Sequence, residues 1–451
     1  ERALAEGRLR AFGAMALVIG LVIFTTHFQQ AYFLFGSVGV YAAVRVVLLW
    51  KAGLPAQRSA LRFLFFLGFS VLGAGVAAIQ LVPAVGYVKE FSRRTATTTQ
   101  ATEVGNRAYS SSWSLHPEEA AAMVVPEFVG SNARGASWAE NTYWGRNPMK
   151  HNHEYAGLVV LLLAVVAFFG APKPGIRFTF LGIGGVAFLF ALGTHTPVWR
   201  VFYEVLPGIP LFRAPSIAAF LFGFGAMTLM AFGVDRILGF GSSSESEGDR
   251  GILWFLSGST VLLLLGTALA SSGALTSGWT ALLYSDLTPG KAEALSRAQD
   301  FITRGFFLST LLSAATLGLV WMARKGKVPV GAWVLGIGLL LVVDLGRVND
   351  AFIQSLCFQD WAGEDPNIQY LQEQLETQEP FRVLAMGGGY NNGQDVKPGM
   401  YGLELAAGHH PNDLARYREL IGMVGSGLPQ NFFDPETGAL NLSLIHISEP
   451  T

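Results

Sequence analysis

Residues 151–163 read His151-Asn152-His153-Glu154-Tyr155-Ala156-Gly157-Leu158-Val159-Val160-Leu161-Leu162-Leu163, a switch within a few positions from titratable to wholly apolar side chains. Behind them lies a polar stretch, residues 85–153, whose end also carries Tyr143-Trp144-Gly145-Arg146; ahead, apolar sequence runs to residue 171. Ionisable groups at the edge of a bilayer cost desolvation energy, so groups crowded there usually serve a purpose. The stretch reads as a polar insert between membrane helices, and as the place where chemistry would sit.

Working outward, apolar runs recur on both sides. A transmembrane helix needs roughly 20 mainly apolar residues. Nine segments approach that: 10–27, 31–49, 63–84, 155–171, 178–194, 215–234, 251–271, 302–322 and 328–345. The 451-residue chain is 51% hydrophobic and 14% charged, too apolar for an ordinary soluble protein. With residue 1 cytoplasmic, the inside connections hold Arg8 and Arg10; Lys51, Arg58 and Arg62; Lys173 and Arg177; Arg236 and Arg250; Arg324, Lys325 and Lys327. Outside turns such as His27-Phe28-Gln29-Gln30 carry neither Lys nor Arg. This is the bias of cytoplasmic loops, and a miscount by one span would destroy it. The insert, the link 195–214 and everything after about residue 346 then fall outside.

The expected fold class is an α-helical polytopic membrane protein with about nine transmembrane helices, an extracytoplasmic insert and a truncated C-terminal α/β segment. Its divisions are three helices in 1–84, the insert 85–153, six helices in 154–346 and the start of an extracytoplasmic α/β domain in 347–442. Residues 443–451 read as a non-native tail, and a start at Glu1 without Met reads as an internal piece of a longer protein. In the α/β segment, Pro366-Asn367 opens an amphipathic helix with Ile368, Leu371 and Leu375 on one face. Residues 381–386 read as a strand, and Asn412-Asp413 can cap a helix through Ala415, Tyr417, Leu420 and Ile421. A net charge of −1 exerts no general pull on nucleic acid, and Cys357, alone, cannot form an internal disulfide.

Several residues are candidates for a site. His151, His153 and Glu154 could ligate a divalent metal, but no further ligand stands at a defined spacing. The alternatives are contact with substrate, or Glu154 and Tyr155 as the first turn of the next span, with the carboxylate complementing the helix dipole. Ser114 is positioned to cap a helix opened by Pro117. Trp113, Trp138, Tyr143 and Trp144 could stack on sugar rings or anchor the chain at the interface. Arg200 and Arg213 share one outside link. Arg213 precedes Pro215 at a helix start, which suits a lipid-linked phosphate; the alternative is snorkelling to headgroups. Gly387-Gly388-Gly389 lacks dinucleotide-fingerprint spacing, and His409-His410 read as loop residues. Arg45, Gln80 and Asp344 lie near span ends and call for no special role.

Short motifs in order carry a resemblance. They are His27-Phe28-Gln29-Gln30, Ala78-Ile79-Gln80-Leu81-Val82-Pro83, Ser114-Leu115-His116-Pro117 and Pro126-Glu127-Phe128-Val129-Gly130. Tyr143-Trp144-Gly145, Glu154-Tyr155-Ala156-Gly157, Phe212-Arg213-Ala214-Pro215-Ser216 and Gly233-Val234-Asp235-Arg236 follow, then Tyr401-Gly402-Leu403 and His409-His410-Pro411-Asn412-Asp413 through Arg416-Tyr417. Over about residues 10–440 the chain resembles the YfhO-type bacterial membrane proteins, which are similar to C-type glycosyltransferases. The resemblance implies transfer of a sugar from a polyprenyl-phosphate-linked donor to an envelope glycopolymer or lipid acceptor, outside the cytoplasmic membrane of a bacterium. A transporter or flippase of lipid-linked saccharides and a non-catalytic envelope assembly protein are the rival classes. The acidic catalytic base of such enzymes belongs to a first outer loop expected ahead of residue 1. Among the residues present, Arg213 and Arg200 would clamp phosphate, Tyr143, Trp144, Tyr155 and His153 would contact substrate, and Glu154 would be a supporting proton acceptor. The pattern points to no particular cofactor, and a divalent metal is compatible with it.

Overall fold

The computed structural model describes residues 1–25, 27–92, 103–132, 141–148, 154–239, 247–353, 355, 357–363, 366–377, 380–384, 397–406 and 413–422. Trp138, His151, His153, the glycines 387–389, His409, His410 and the tail 443–451 lie outside those residues. The helices, in chain order, are α1 (Arg2–Glu6), α2 (Leu9–Phe24), α3 (Phe28–Lys51), α4 (Ala56–Val76), α5 (Ala78–Glu90), α6 (Glu103–Ser111) and α7 (Pro117–Ala121). They continue as α8 (Leu158–Val166), α9 (Pro174–Ala191), α10 (Pro197–Val205), α11 (Ala219–Leu238), α12 (Glu247–Ser271), α13 (Ala274–Leu283), α14 (Pro289–Arg324) and α15 (Val330–Phe352). Short helices α16 (Phe358–Trp361), α17 (Pro366–Thr377) and α18 (Ala415–Ile421) complete the set.

Two compact units form, one from residues 1–77 and 110–354, the other from 78–109 and 355–451. Among the described residues, seven helices are long and apolar enough to cross a membrane: Phe28–Lys51, Ala56–Val76, Pro174–Ala191, Pro215–Leu238, Gly248–Ser271, Pro289–Arg324 and Val330–Asp350. The first and fourth expected segments are helical but shorter, at 16 residues for α2 and 9 for α8. In the fourth, Gly157 at φ +101° and Gly170 at φ +95° break the helical path at both ends of the apolar run. The third expected segment, 63–84, is also displaced, since α4 ends at Val76 and a separate helix holding Pro83 follows.

In the first unit α11 packs on α8 and α9, α12 runs along α14, and α2 lies on α4. Gly233 makes the α8–α11 contact feasible, because a Cβ there would stand 1.9 Å from the Leu163 carbonyl oxygen. Connections assigned to one face by charge collect at one end of the unit. There Gln29 Nε2 donates to the Arg213 carbonyl, Tyr32 Oη to Pro207 at 2.8 Å, and the Leu115 amide to Ala191 at 2.8 Å. Elsewhere in the unit Arg236 pairs with Asp249 and donates to the Phe169 carbonyl at 2.8 Å.

The second unit holds the α/β segment. Ile368 of α17 is buried, and strands β1 (Arg382–Val383) and β2 (Glu404–Leu405) pair in parallel, Arg382 with Glu404 and Val383 with Leu405. The helix after Asp413 starts at Ala415 with Leu414 at the cap position. Asp413 accepts a 2.7 Å bond from Arg418 Nη1, so the carboxylate serves an ion pair where a side-chain cap was expected.

Candidate functional site

At the loop end of the first unit, the insert folds around two buried acids. Pro117 opens α7, and the cap position is His116 rather than Ser114, with the His116 amide donating to Glu119 Oε2 at 3.1 Å. The Ser114 hydroxyl turns back to the Ser111 carbonyl. Glu118 and Glu119 are 0% and 2% exposed. Buried carboxylates persist only when hydrogen-bonded, and these are. Glu119 Oε1 accepts from Tyr143 Oη and Oε2 from Asn147 Nδ2, both at 2.8 Å. Glu118 Oε1 accepts from the Arg146 amide at 3.0 Å, with the Arg146 guanidinium 3.8 Å away. That guanidinium lies 4.3 Å above the Tyr284 ring, and Lys291 Nζ lies 4.3 Å above the Tyr143 ring. Burial, reinforced by the Glu119 charge, raises the Tyr143 pKa and keeps the phenol protonated.

Beside Tyr143 opens a cavity of about 350 Å³, lined among others by Asn132, Asn141, Thr288, Lys291 and Arg297. Helix α14, 36 residues long, is longer than a bilayer requires, and its first turns carry Lys291 and Arg297 into the cavity wall. Arg297 also pairs with Glu293 one turn away. The lining offers amide, hydroxyl and cationic donors, suited to a polar, negatively charged head group.

The candidates from the sequence fall in different surroundings. Tyr143 lines the cavity. Trp144 is 0% exposed, packed edge-on against Phe128 with its indole N–H on the Phe128 carbonyl at 2.8 Å; no ring face is left for a sugar, and its place is the core. Arg200 and Arg213 are exposed, and their side chains make no ion pair or hydrogen bond among the described residues. Ala214, next to Arg213, adopts φ +55° and donates its amide to the Ser112 carbonyl at 2.9 Å. Glu154 is half-buried and precedes the helix it was expected to begin. Among the described residues no group of three or more His, Cys, Asp and Glu side chains is placed to hold a metal.

Tyr155 belongs to a second polar cluster, and with it Asp344 acquires a role. The Asp344 side chain, 0% exposed, accepts from the Val159 amide at 2.9 Å and from Tyr155 Oη, while Arg347 Nη2 stands 3.6 Å away. Tyr155 Oη in turn accepts from the Leu158 amide at 2.8 Å. The first amides of α8 are therefore capped from α15, a long-range version of the dipole complement expected of Glu154. Arg347 also bonds Glu127 Oε1, Tyr155 Oη and Ser309 Oγ, each at 3.2 Å. Burial raises the Glu127 pKa, opposed by the nearby Arg347 charge.

Sequence reasoning passed over Glu118, Glu119, Lys291, Asp344 and Arg347. Two of them left a signal: Asp344 and Arg347, three positions apart in an apolar run, are a pair that membrane burial does not tolerate without partners. Comparison with family models, curated proteins and solved structures finds no match. Composition, helix length and packing stand on their own. The chain is a polytopic helical membrane protein.

Proposed function

We propose that this protein transfers a sugar from a polyprenyl-phosphate-linked donor to a cell-envelope acceptor, a glycopolymer or a lipid, at the outer face of a bacterial cytoplasmic membrane. On this reading it is a YfhO-type, C-type glycosyltransferase-like protein, and the two short apolar helices also cross, giving nine spans. One observation carries the proposal: a polar cavity with Lys291 and Arg297 in its wall opens at one end of an apolar helix bundle. A lipid-linked phosphosugar has the matching form, a charged polar head on a chain that belongs in hydrocarbon.

In the reaction the acceptor oxygen bonds to the anomeric carbon as the bond from that carbon to the phosphate oxygen breaks. Polyprenyl phosphate leaves, and the acceptor proton passes to a base. Lys291 and Arg297, with Arg213 and Arg200, would hold the departing phosphate. Tyr143 would contact the sugar, and Glu119 behind it, or Glu154, would be a supporting acceptor for the proton. The rival export reading draws on the Glu127–Arg347–Asp344 cluster, but those groups already serve as ties between helices.

The test is binding of a short synthetic polyprenyl-phosphate-linked hexose to the full chain in lipid nanodiscs. Saturable binding that falls at least about tenfold in Lys291→Ala, the scale of one charge-assisted contact, is expected. Binding that a Lys291→Ala, Arg297→Ala double variant leaves unchanged removes the cavity from the account.

A further inference from the structure

The turn ahead of α7 meets the turn Gly193–His195 through two imidazoles. His116 Nδ1 and His195 Nε2 are 2.8 Å apart, with ring centroids 4.9 Å apart and planes at 70°. At that separation one nitrogen donates a proton and the other accepts it, so the two rings are never both charged while the contact holds. The outward nitrogens are His116 Nε2 and His195 Nδ1. The His116 ring also takes part in a capping box with the Glu119 amide, while His195 Nδ1 has no protein partner among the described residues. His195 is exposed and His116 half-buried.

Proton counting gives the pair its property. Two neutral imidazoles carry two ring protons, one in the shared bond and one on an outward nitrogen. The other outward nitrogen keeps a free lone pair. The charges facing the pair are Glu118 and Glu119 from α7 and Arg146 from the segment after Trp144. Burial lowers both imidazole pKa values, and the Arg146 charge lowers them further, against the opposing glutamates. The pair is thus uncharged near neutrality, with one end open to accept a proton and the other ready to release one.

We propose that His116 and His195 form a proton relay serving the site at this end of the bundle. A proton binds one outward nitrogen, the shared proton crosses to the facing ring, and a proton leaves the far outward nitrogen. One proton is moved, no charge accumulates, and exchange with water resets the tautomers. This rests on the transfer reading for the origin of the proton, the acceptor hydroxyl; the dyad itself does not depend on it.

The experiment follows ¹⁵N-labelled imidazoles by NMR in the full chain in nanodiscs, alongside release of polyprenyl phosphate from the synthetic hexose donor. One N–H proton coupled to both facing nitrogens is expected, and its loss in both His116→Gln and His195→Gln. Each variant should also slow donor turnover by about 100-fold or more, the lower end of general acid–base contributions. Added imidazole should restore much of that rate, which a purely structural role would not allow. Two rings titrating independently without a shared proton overturn the proposal, as does a loss of rate that imidazole does not rescue. Stoichiometric Zn²⁺ moving both ring signals reassigns the pair as a metal site and also overturns the relay. A wild-type protein with the shared proton and tautomer exchange but no donor turnover upholds the dyad and sinks the transfer reading.

Discussion

Replacing Asp344 by Asn should open the start of α8. The native carboxylate accepts from the Val159 amide at 2.9 Å and from Tyr155 Oη, and it faces Arg347 at 3.6 Å. Asn keeps the shape but removes the charge, and its amide nitrogen presents a donor to one of these donors. Each hydrogen bond to a charged group contributes about 1.5–3 kcal/mol, and breaking a buried ion pair from one side costs about 3–5 kcal/mol. A local loss of about 3 kcal/mol corresponds to roughly a 100-fold rise in the open population. Hydrogen–deuterium exchange of a peptide covering 158–161, measured in nanodiscs, should therefore accelerate by about two orders of magnitude. Peptides from α12, which lie outside the cluster, should change little. A rate within threefold of wild type at Leu158 and Val159 would refute the capping argument. Pairing Asp344→Asn with Arg347→Met should not recover the loss, because it also leaves buried Glu127 without its 3.2 Å partner.

Other outcomes follow from the same geometry. Gly233→Val should abolish recovery of folded protein after detergent extraction, since any Cβ would meet the Leu163 carbonyl oxygen at 1.9 Å; normal yield would disprove the close approach. Trp144→Phe should destabilise by about 1–3 kcal/mol by leaving the buried Phe128 carbonyl without its 2.8 Å donor, read from denaturant midpoints. Arg213→Ala should weaken transfer while membrane insertion stays intact, and unchanged kinetics would dismiss it as a phosphate clamp. For pH, the lowered pKa values of His116 and His195 mean that the unfolded chain binds their protons first. Their contribution to stability is then complete above about 6.5, the ordinary histidine value, and is lost as pH falls through the lower folded values. A flat stability profile from pH 7 to 5 in wild type, identical to that of a His116→Gln, His195→Gln variant, would count against both shifts.

Much of the membrane part was legible because long hydrophobic runs report directly on helices apolar enough to cross a membrane. The helices at 31–49, 178–194 and 251–271 lie where periodicity and composition place them. Leu158–Val166 came out short because glycine φ values at 157 and 170, set by packing, override an apolar run that reads as a full span. The site was less legible. Tyr143 stood out by type, but Lys291 lies nearly 150 positions away and enters the same cavity only through the folded insert. Glu118 and Glu119 read as ordinary first-turn acids, and only tertiary packing turns them into buried acceptors. Asp344 reads as a span-end residue because its partners, Tyr155 and the Val159 amide, lie 189 and 185 positions away in sequence.

The central claim is that the cavity beside Tyr143 takes the head group of a lipid-linked phosphosugar for transfer. Its most direct test is single-turnover release of polyprenyl phosphate from the synthetic hexose donor by the full-length protein in nanodiscs. Release that requires both the phosphate and the sugar, and that falls with Lys291→Ala, is the predicted result. No release by the wild-type chain, or release indifferent to Lys291 and Arg297, would contradict it.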